Sequence, residues 1–136
     1  MTRLLLARLL ALAGLAISLY LTAIHYTIAP LACPTTGVVN CDAVLASPYA
    51  ALGPVPTSAF GVAWFLVLSL LLLRSPHGLF FRIWGWIGGL TVLVLIYVEL
   101  FLVGYICLWC SSVHLIVLIL LFLSERGTLK PGARAP

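Results

Sequence analysis

A chain of 136 residues that is 64% hydrophobic and 7% charged, with a mean hydropathy of +1.25, is not an ordinary soluble domain, because those carry about 25% charged residues. It reads as an all-α integral membrane protein in one domain, with material for four crossings of roughly 20 apolar residues each. The net charge of +4 would suggest nucleic acid as a partner for a soluble protein; here the basic residues serve topology, and no basic face interleaved with aromatics is present, so nucleic acid is set aside.

Residues 4–24 are apolar except for Arg8, Ser18, Tyr20 and Thr22, long enough to span about 30 Å as a helix. A secretory signal peptide is the rival reading, disfavoured by the length of the run and by the lack of a small-x-small cleavage site. His25 and Tyr26 fall where this helix leaves the bilayer, an ordinary interfacial position. From residue 27 to 57 the chain is punctuated by Pro30, Pro34, Gly37, Pro48, Gly53, Pro54 and Pro56. Within it Asn40 or Asp42 is placed to cap a short helix ending before Ser47-Pro48, a lid lying at the membrane surface. A second crossing is expected over about 58–73, after Pro56, and a third over about 79–103, after the Ser75-Pro76-His77-Gly78 turn. The fourth, about 106–124, follows a turn at Gly104-Tyr105. These parts make a four-helix membrane domain over 1–124, and the polar, Pro/Gly-rich stretch 125–136 is expected to be a disordered cytoplasmic tail.

Arg3, Arg8, Arg74, Arg82, Arg126, Lys130 and Arg134, all seven basic residues, gather at one end of the four predicted helices. Lys and Arg are retained on the cytoplasmic side. Both termini are therefore expected in the cytosol of a multi-pass cell-membrane protein, with the 27–57 loop on the other face. That face also carries four cysteines: Cys33 and Cys41 in the loop, Cys107 and Cys110 at the mouth of the fourth helix. An even set in a lipid-embedded chain fits an oxidising compartment. Cysteines three apart at a helix start sit where free N–H groups and the positive dipole end stabilise a thiolate. Together the pairs suit a disulfide relay, in which a mobile pair approaches a fixed one and a lipid-dissolved acceptor reaches the helix mouth from the side. Two structural disulfides in a non-catalytic membrane protein remain the alternative. A zinc site is disfavoured because only one C-x₂-C hook exists.

His114 lies at i+4 from Cys110, about 6 Å deeper on the same face, where an ionisable group is expensive unless used. It is a candidate hydrogen-bond or proton donor, with a packing histidine as the plain alternative. Glu99, near the outer end of the third helix, is a candidate proton acceptor or a neutral group bonded to a neighbouring helix. Trp109, with Phe60, Trp64 and Phe101, is a candidate wall for an apolar cavity, and Trp84 and Trp86 read as an aromatic belt.

The order of these parts, a Cys-x₇-Cys loop after the first helix, Cys41-Asp42-x-Val44-Leu45, then Val55-Pro56-x-Ser58-x-Phe60-Gly61 entering the second helix and Cys-x-x-Cys opening the fourth, resembles the vitamin K epoxide reductase family in its prokaryotic form. Quinone-linked oxidases of the DsbB type place the Cys-x-x-Cys first, the reverse of the order here. The resemblance implies a thiol:quinone oxidoreductase that takes electrons from a separate thioredoxin-like or DsbA-like protein and passes them to a membrane quinone such as menaquinone or ubiquinone, without a metal. By position Cys33 resembles the cysteine that exchanges with the partner, Cys41 the one that exchanges with Cys107, and Cys110 the one that faces the quinone. Thr57, Ser58, Phe60, Glu99, Trp109 and His114 are the implied quinone-site residues. Vertebrate members carry Asn where this chain has Thr57 and Tyr where it has His114; both replacements still hydrogen-bond a carbonyl, and epoxide reduction is not assigned. The same relay driven backwards, as a quinol-powered reductase, uses the same residues.

Overall fold

The computed structural model describes residues 3–27, 29–76 and 78–125; of the expected tail, 126–136 lies outside the described residues. Four helices are long and apolar enough to cross a membrane: α1 (Arg3–Thr27), α3 (Thr57–Arg74), α4 (Leu79–Tyr97), which continues as one π-helical turn over Val98–Val103, and α5 (Leu108–Glu125). Between α1 and α3 lie the short α2 (Cys41–Leu45) and a two-stranded hairpin, β1 (Ala51–Leu52) and β2 (Val55–Pro56), paired antiparallel with Leu52 opposite Val55. The fold is a helical membrane bundle.

Lipid solvates an apolar outer face as well as a core does, so what selects the inner faces is size and shape. The buried residues of α1 are Ala7, Ala11, Gly14, Ser18 and Leu21, a stripe spaced alternately four and three apart and mostly small, which lets other helices approach closely. The tip of the Phe65 ring of α3 abuts Gly14, and Gly61 faces Ser18. On α4 the buried residues include Gly85, Gly88 and Gly89; Trp64 fills the space over Gly88 and Leu121 that over Gly89. Large side chains such as Leu70, Leu73, Leu90 and Leu115 point outward, as a lipid-facing surface requires.

The end of the bundle away from the cysteines is tied by polar bonds. Trp64 Nε1 donates to the Trp84 carbonyl at 3.2 Å and Trp84 Nε1 to the Trp64 carbonyl at 3.1 Å, so Trp84 is an inward strut between α3 and α4 and not a belt residue. Arg8 donates to the Leu72 carbonyl at 3.1 Å, satisfying a free carbonyl in the last turn of α3. Glu125, assigned from sequence to the tail, is instead the last residue of α5: Arg82 pairs with it at 2.9 Å and Trp86 Nε1 donates to it at 3.1 Å. These partners from α4 hold the helix through a residue that composition alone gives to the polar stretch.

At the opposite end the 29–56 segment is folded down over the helix mouths. Asn40, and not Asp42, caps α2, its Oδ1 accepting from Ala43 N at 3.0 Å. A tight turn around Gly37, in the left-handed region at φ 54°, returns the chain so that Val39 bridges Ile106 in parallel: Asn40 N donates to the Ile106 carbonyl at 3.0 Å and Ile106 N to the Val38 carbonyl at 2.8 Å. The hairpin is tied to α1 by Tyr26, whose hydroxyl donates to the Pro54 carbonyl at 3.1 Å.

Candidate functional site

Cys33 and Cys41 are joined by a disulfide with their Cα atoms 6.2 Å apart. Cys41 opens α2 and is buried, whereas Cys33 is half-exposed on the loop. Cys107 and Cys110 are free thiols. Cys107 is completely buried, immediately before α5, and shares one apolar cluster with Cys41, Leu21 and Leu31, against which Cys33, Tyr20, Trp109 and Cys110 also pack. The Val39–Ile106 bridge explains this proximity: it runs two residues from Cys41 on one chain segment and one residue from Cys107 on the other. Trp109 holds the loop from a second side, its Nε1 donating to the Ala32 carbonyl at 2.9 Å while its ring packs on Tyr20 with centroids 5.3 Å apart.

Within the helix pair, Cys110 N donates to Cys107 Sγ at 3.3 Å. A hydrogen bond from the Cys110 thiol pulls the Cys107 pKa below the ordinary thiol value, against burial and the nearby Glu99 carboxylate, which both push it up. Cys107 N in turn donates to Glu99 Oε1. Glu99 reaches it because α4 ends in a π turn, closed by Gly104 N on the Glu99 carbonyl at 3.0 Å and by Gly104 in the left-handed region at φ 76°. π turns concentrate at functional sites because they re-aim side chains that an α-helix would hold in register. Here Glu99 is turned inward to 5% exposure while Leu100, Phe101 and Leu102 face out.

Below the cysteines an open cleft lies between the lid, α3, α4 and α5, lined by Val44, Leu45, Ser47, Tyr49, Ala50, Thr57, Leu95, Val98, Glu99, Val103, Cys110 and His114. Its surface has the character of a small-ligand site, mostly apolar with a few convergent polar groups. His114 is buried, and its Nδ1 makes no hydrogen bond, with Glu99 Oε2 3.7 Å away. Thr57 donates its hydroxyl to the Ala50 carbonyl at 3.0 Å, leaving the oxygen as an acceptor.

Of the residues singled out in the sequence, Cys110, His114, Glu99 and Thr57 come together on this cleft. Ser58, Phe60 and Trp109 do not. Ser58 accepts from Thr22 at 2.9 Å across the α1–α3 seam, Phe60 is 52% exposed on the outer face, and Trp109 is committed to the loop. Trp64 packs over Gly88, and Phe101 points outward against Tyr97. The aromatic wall expected for the cleft is therefore aliphatic, with Tyr49 as its ring. Ser47 and Tyr49 were missed, because only a folded lid brings them over α5; the Ser47-Pro48 stop was the available signal. Among the described residues no group of three or more His, Cys, Asp or Glu is arranged to hold a metal ion.

A membrane-embedded four-helix bundle with a loop disulfide packed against a buried dithiol defines a class of membrane redox protein. The model of the vitamin K epoxide reductase family matches residues 5–124, and the chain belongs to that family. A search of curated proteins finds no match to it.

Proposed function

We propose that this protein is a thiol:quinone oxidoreductase of the cell membrane that oxidises a thioredoxin-like dithiol outside the cytosol. The observation that carries the reading is the burial of Cys41 and Cys107 in one cluster, with Cys110 opening onto a cleft that holds an unsatisfied His114 nitrogen. Family membership supports the chemistry. The end of the bundle bearing Arg3, Arg8, Arg74 and Arg82 faces the cytosol in this reading, and the cysteines face away from it.

The partner's thiolate attacks Cys33, breaking the Cys33–Cys41 bond and forming a mixed disulfide; the half-exposure of Cys33 against the burial of Cys41 selects which sulfur is reached. The released Cys41 thiolate attacks Cys107 of an oxidised Cys107–Cys110 pair and frees Cys110. The partner's second thiolate resolves the mixed disulfide, and Cys33 then restores the loop disulfide by attacking Cys41, which leaves Cys107 and Cys110 as a dithiol. Two electrons and two protons have been carried in. A quinone in the cleft supplies the sink, taking up two electrons and two protons. Cys110 stands at the cleft as the electron donor, Cys107 closes back onto it to restore the disulfide, and His114 meets a carbonyl oxygen, while Thr57, its proton committed to the Ala50 carbonyl, accepts from the O–H of the reduced form. The residues fit such a ligand: the buried His114 Nδ1 lacks a hydrogen bond, Ser47, Tyr49, Thr57, Glu99 and Cys110 add polar groups, and the rest of the lining is aliphatic. The loop disulfide with a reduced helix pair corresponds to the stage just before electrons leave.

The test is turnover of a short-chain quinone by the purified protein with a reduced thioredoxin-like donor, together with the thiol state read by alkylation and mass shift. The cysteines should change state with turnover, and Cys110→Ala should abolish quinone reduction. Full activity in that variant, or cysteines that stay bonded throughout, overturns the reading in favour of static disulfides.

A further inference from the structure

Quinone reduction by a dithiol moves two protons as well as two electrons, and Cys107, completely buried, cannot pass its proton straight to solvent. Glu99 is the one carboxylate at this end that is enclosed: it is 5% exposed, bonded through Oε1 to Cys107 N, and turned through Oε2 toward His114. Cys107 and His114 contact it, and Cys110, Thr57 from α3, and Ser47 and Tyr49 from the lid line the same cleft. Among the described residues no Lys or Arg lines the cleft to neutralise it. Glu99, on Cys107 N, and the Cys107 sulfur, on Cys110 N, therefore share one positive helix end, and two negative charges there repel in a medium of low dielectric.

We propose that Glu99 is the proton acceptor of the Cys107–Cys110 dithiol and that, with His114, it forms the path by which one of the two protons reaches the quinone; this rests on the thiol:quinone reading above. In the disulfide state Glu99 is ionised and holds the single negative charge at the helix mouth. When the pair is reduced, one thiol gives its proton to the Glu99 carboxylate and the charge moves to sulfur. As the S–S bond forms and two electrons pass to the quinone, Glu99 returns that proton to His114 Nδ1, and the other ring nitrogen delivers a proton to one quinone oxygen. The second thiol's proton goes to the second oxygen. One disulfide and one hydroquinone result from one dithiol and one quinone, and Glu99 ends ionised as it began.

The chain has only three carboxylate side chains, Asp42, Glu99 and Glu125, which makes the proton visible. Infrared difference spectra of the full-length protein in detergent, without quinone, compare the disulfide form with the form reduced by dithiothreitol. The reduced form should gain a protonated-carboxyl C=O band that shifts in D₂O, is lost in Glu99→Gln, and persists in Glu125→Gln. Gln keeps a carbonyl oxygen for Cys107 N, so the helix mouth stays capped. In quinone turnover Glu99→Gln should lose about 100-fold, the scale of one positioned proton-transfer group. Absence of the band in the unmodified protein, or its persistence in Glu99→Gln, overturns the role of Glu99 while leaving the relay standing. An unmodified protein that shows the band but never reduces quinone overturns the parent reading, and the proton path with it.

Discussion

Cys33 and Cys41 share one bond but not one environment. Cys33 is half-exposed beside Pro34, whereas Cys41 is 1% exposed beneath the loop. A protein thiolate can approach only the outer sulfur, so a thioredoxin-like donor whose second active-site cysteine is changed to Ser should accumulate a mixed disulfide with Cys33 that persists because the resolving thiol is gone. Mass spectrometry of the trapped species identifies the cysteine; trapping through Cys107 would reverse the order of transfer. At this scale the cysteines were legible in the sequence, because their spacing and their position relative to the apolar runs carry chemistry without help from packing. Glu99 was legible as an ionisable residue in an apolar run, but not as a cap: its partner is the backbone of Cys107, and the two meet only through a π turn that no periodicity announces. Phe60 failed for the opposite reason. An aromatic near a helix start has the same composition whether it faces cleft or lipid, and only the rotation of α3 decides.

Helix α2 is too short to be stable alone, and what keeps Cys41 near Cys107 is the pair of backbone bonds between residues 38–40 and Ile106. Ile106→Pro removes the donor to the Val38 carbonyl, and proline is tolerated just ahead of a helix. A backbone hydrogen bond contributes about 0.5–1.5 kcal/mol, so turnover fed by a thioredoxin-like donor should fall about two- to tenfold more than turnover fed by dithiothreitol acting on the helix pair. Stopped-flow comparison of the two donors measures the ratio, and an equal fall in both would mean that the bridge does not govern transfer from the loop. The lid was readable as punctuation and one N-cap. Its hairpin and its bridge to Ile106 were not, since a two-residue strand has no pattern and the bridging residues lie far apart in the chain.

For the molecule as a whole, close approach of α1 to α3 rests on absent side chains. A Cβ at Gly14 would overlap the tip of the Phe65 ring, and that ring is itself fully buried. Gly14→Val should therefore destabilise the bundle by about 1–3 kcal/mol, the usual cost of overpacking, and lower the midpoint of thermal unfolding in detergent, whereas an outward change such as Leu70→Ala should move it little. The membrane class and the four-helix architecture were legible because length, charge deficit and hydropathy act over whole segments. The packing was not: glycine and alanine in an apolar run look alike to lipid, and only a partner helix distinguishes the face that must stay small.

The loop around Cys33 is pinned at both ends, by Trp109 on the Ala32 carbonyl and by Ile106 on the Val38 carbonyl. A sulfur on so short a leash keeps a high effective concentration beside Cys41 even after their bond is broken. In the proposed cycle this sets a kinetic partition. While the helix pair is oxidised, the freed Cys41 finds Cys107 and the electrons move on. When oxidised quinone runs out and the helix pair stays reduced, Cys41 closes back on Cys33 and expels the donor unchanged. The leash acts as a discharge valve, so that a membrane starved of oxidised quinone returns its thiol clients instead of sequestering them.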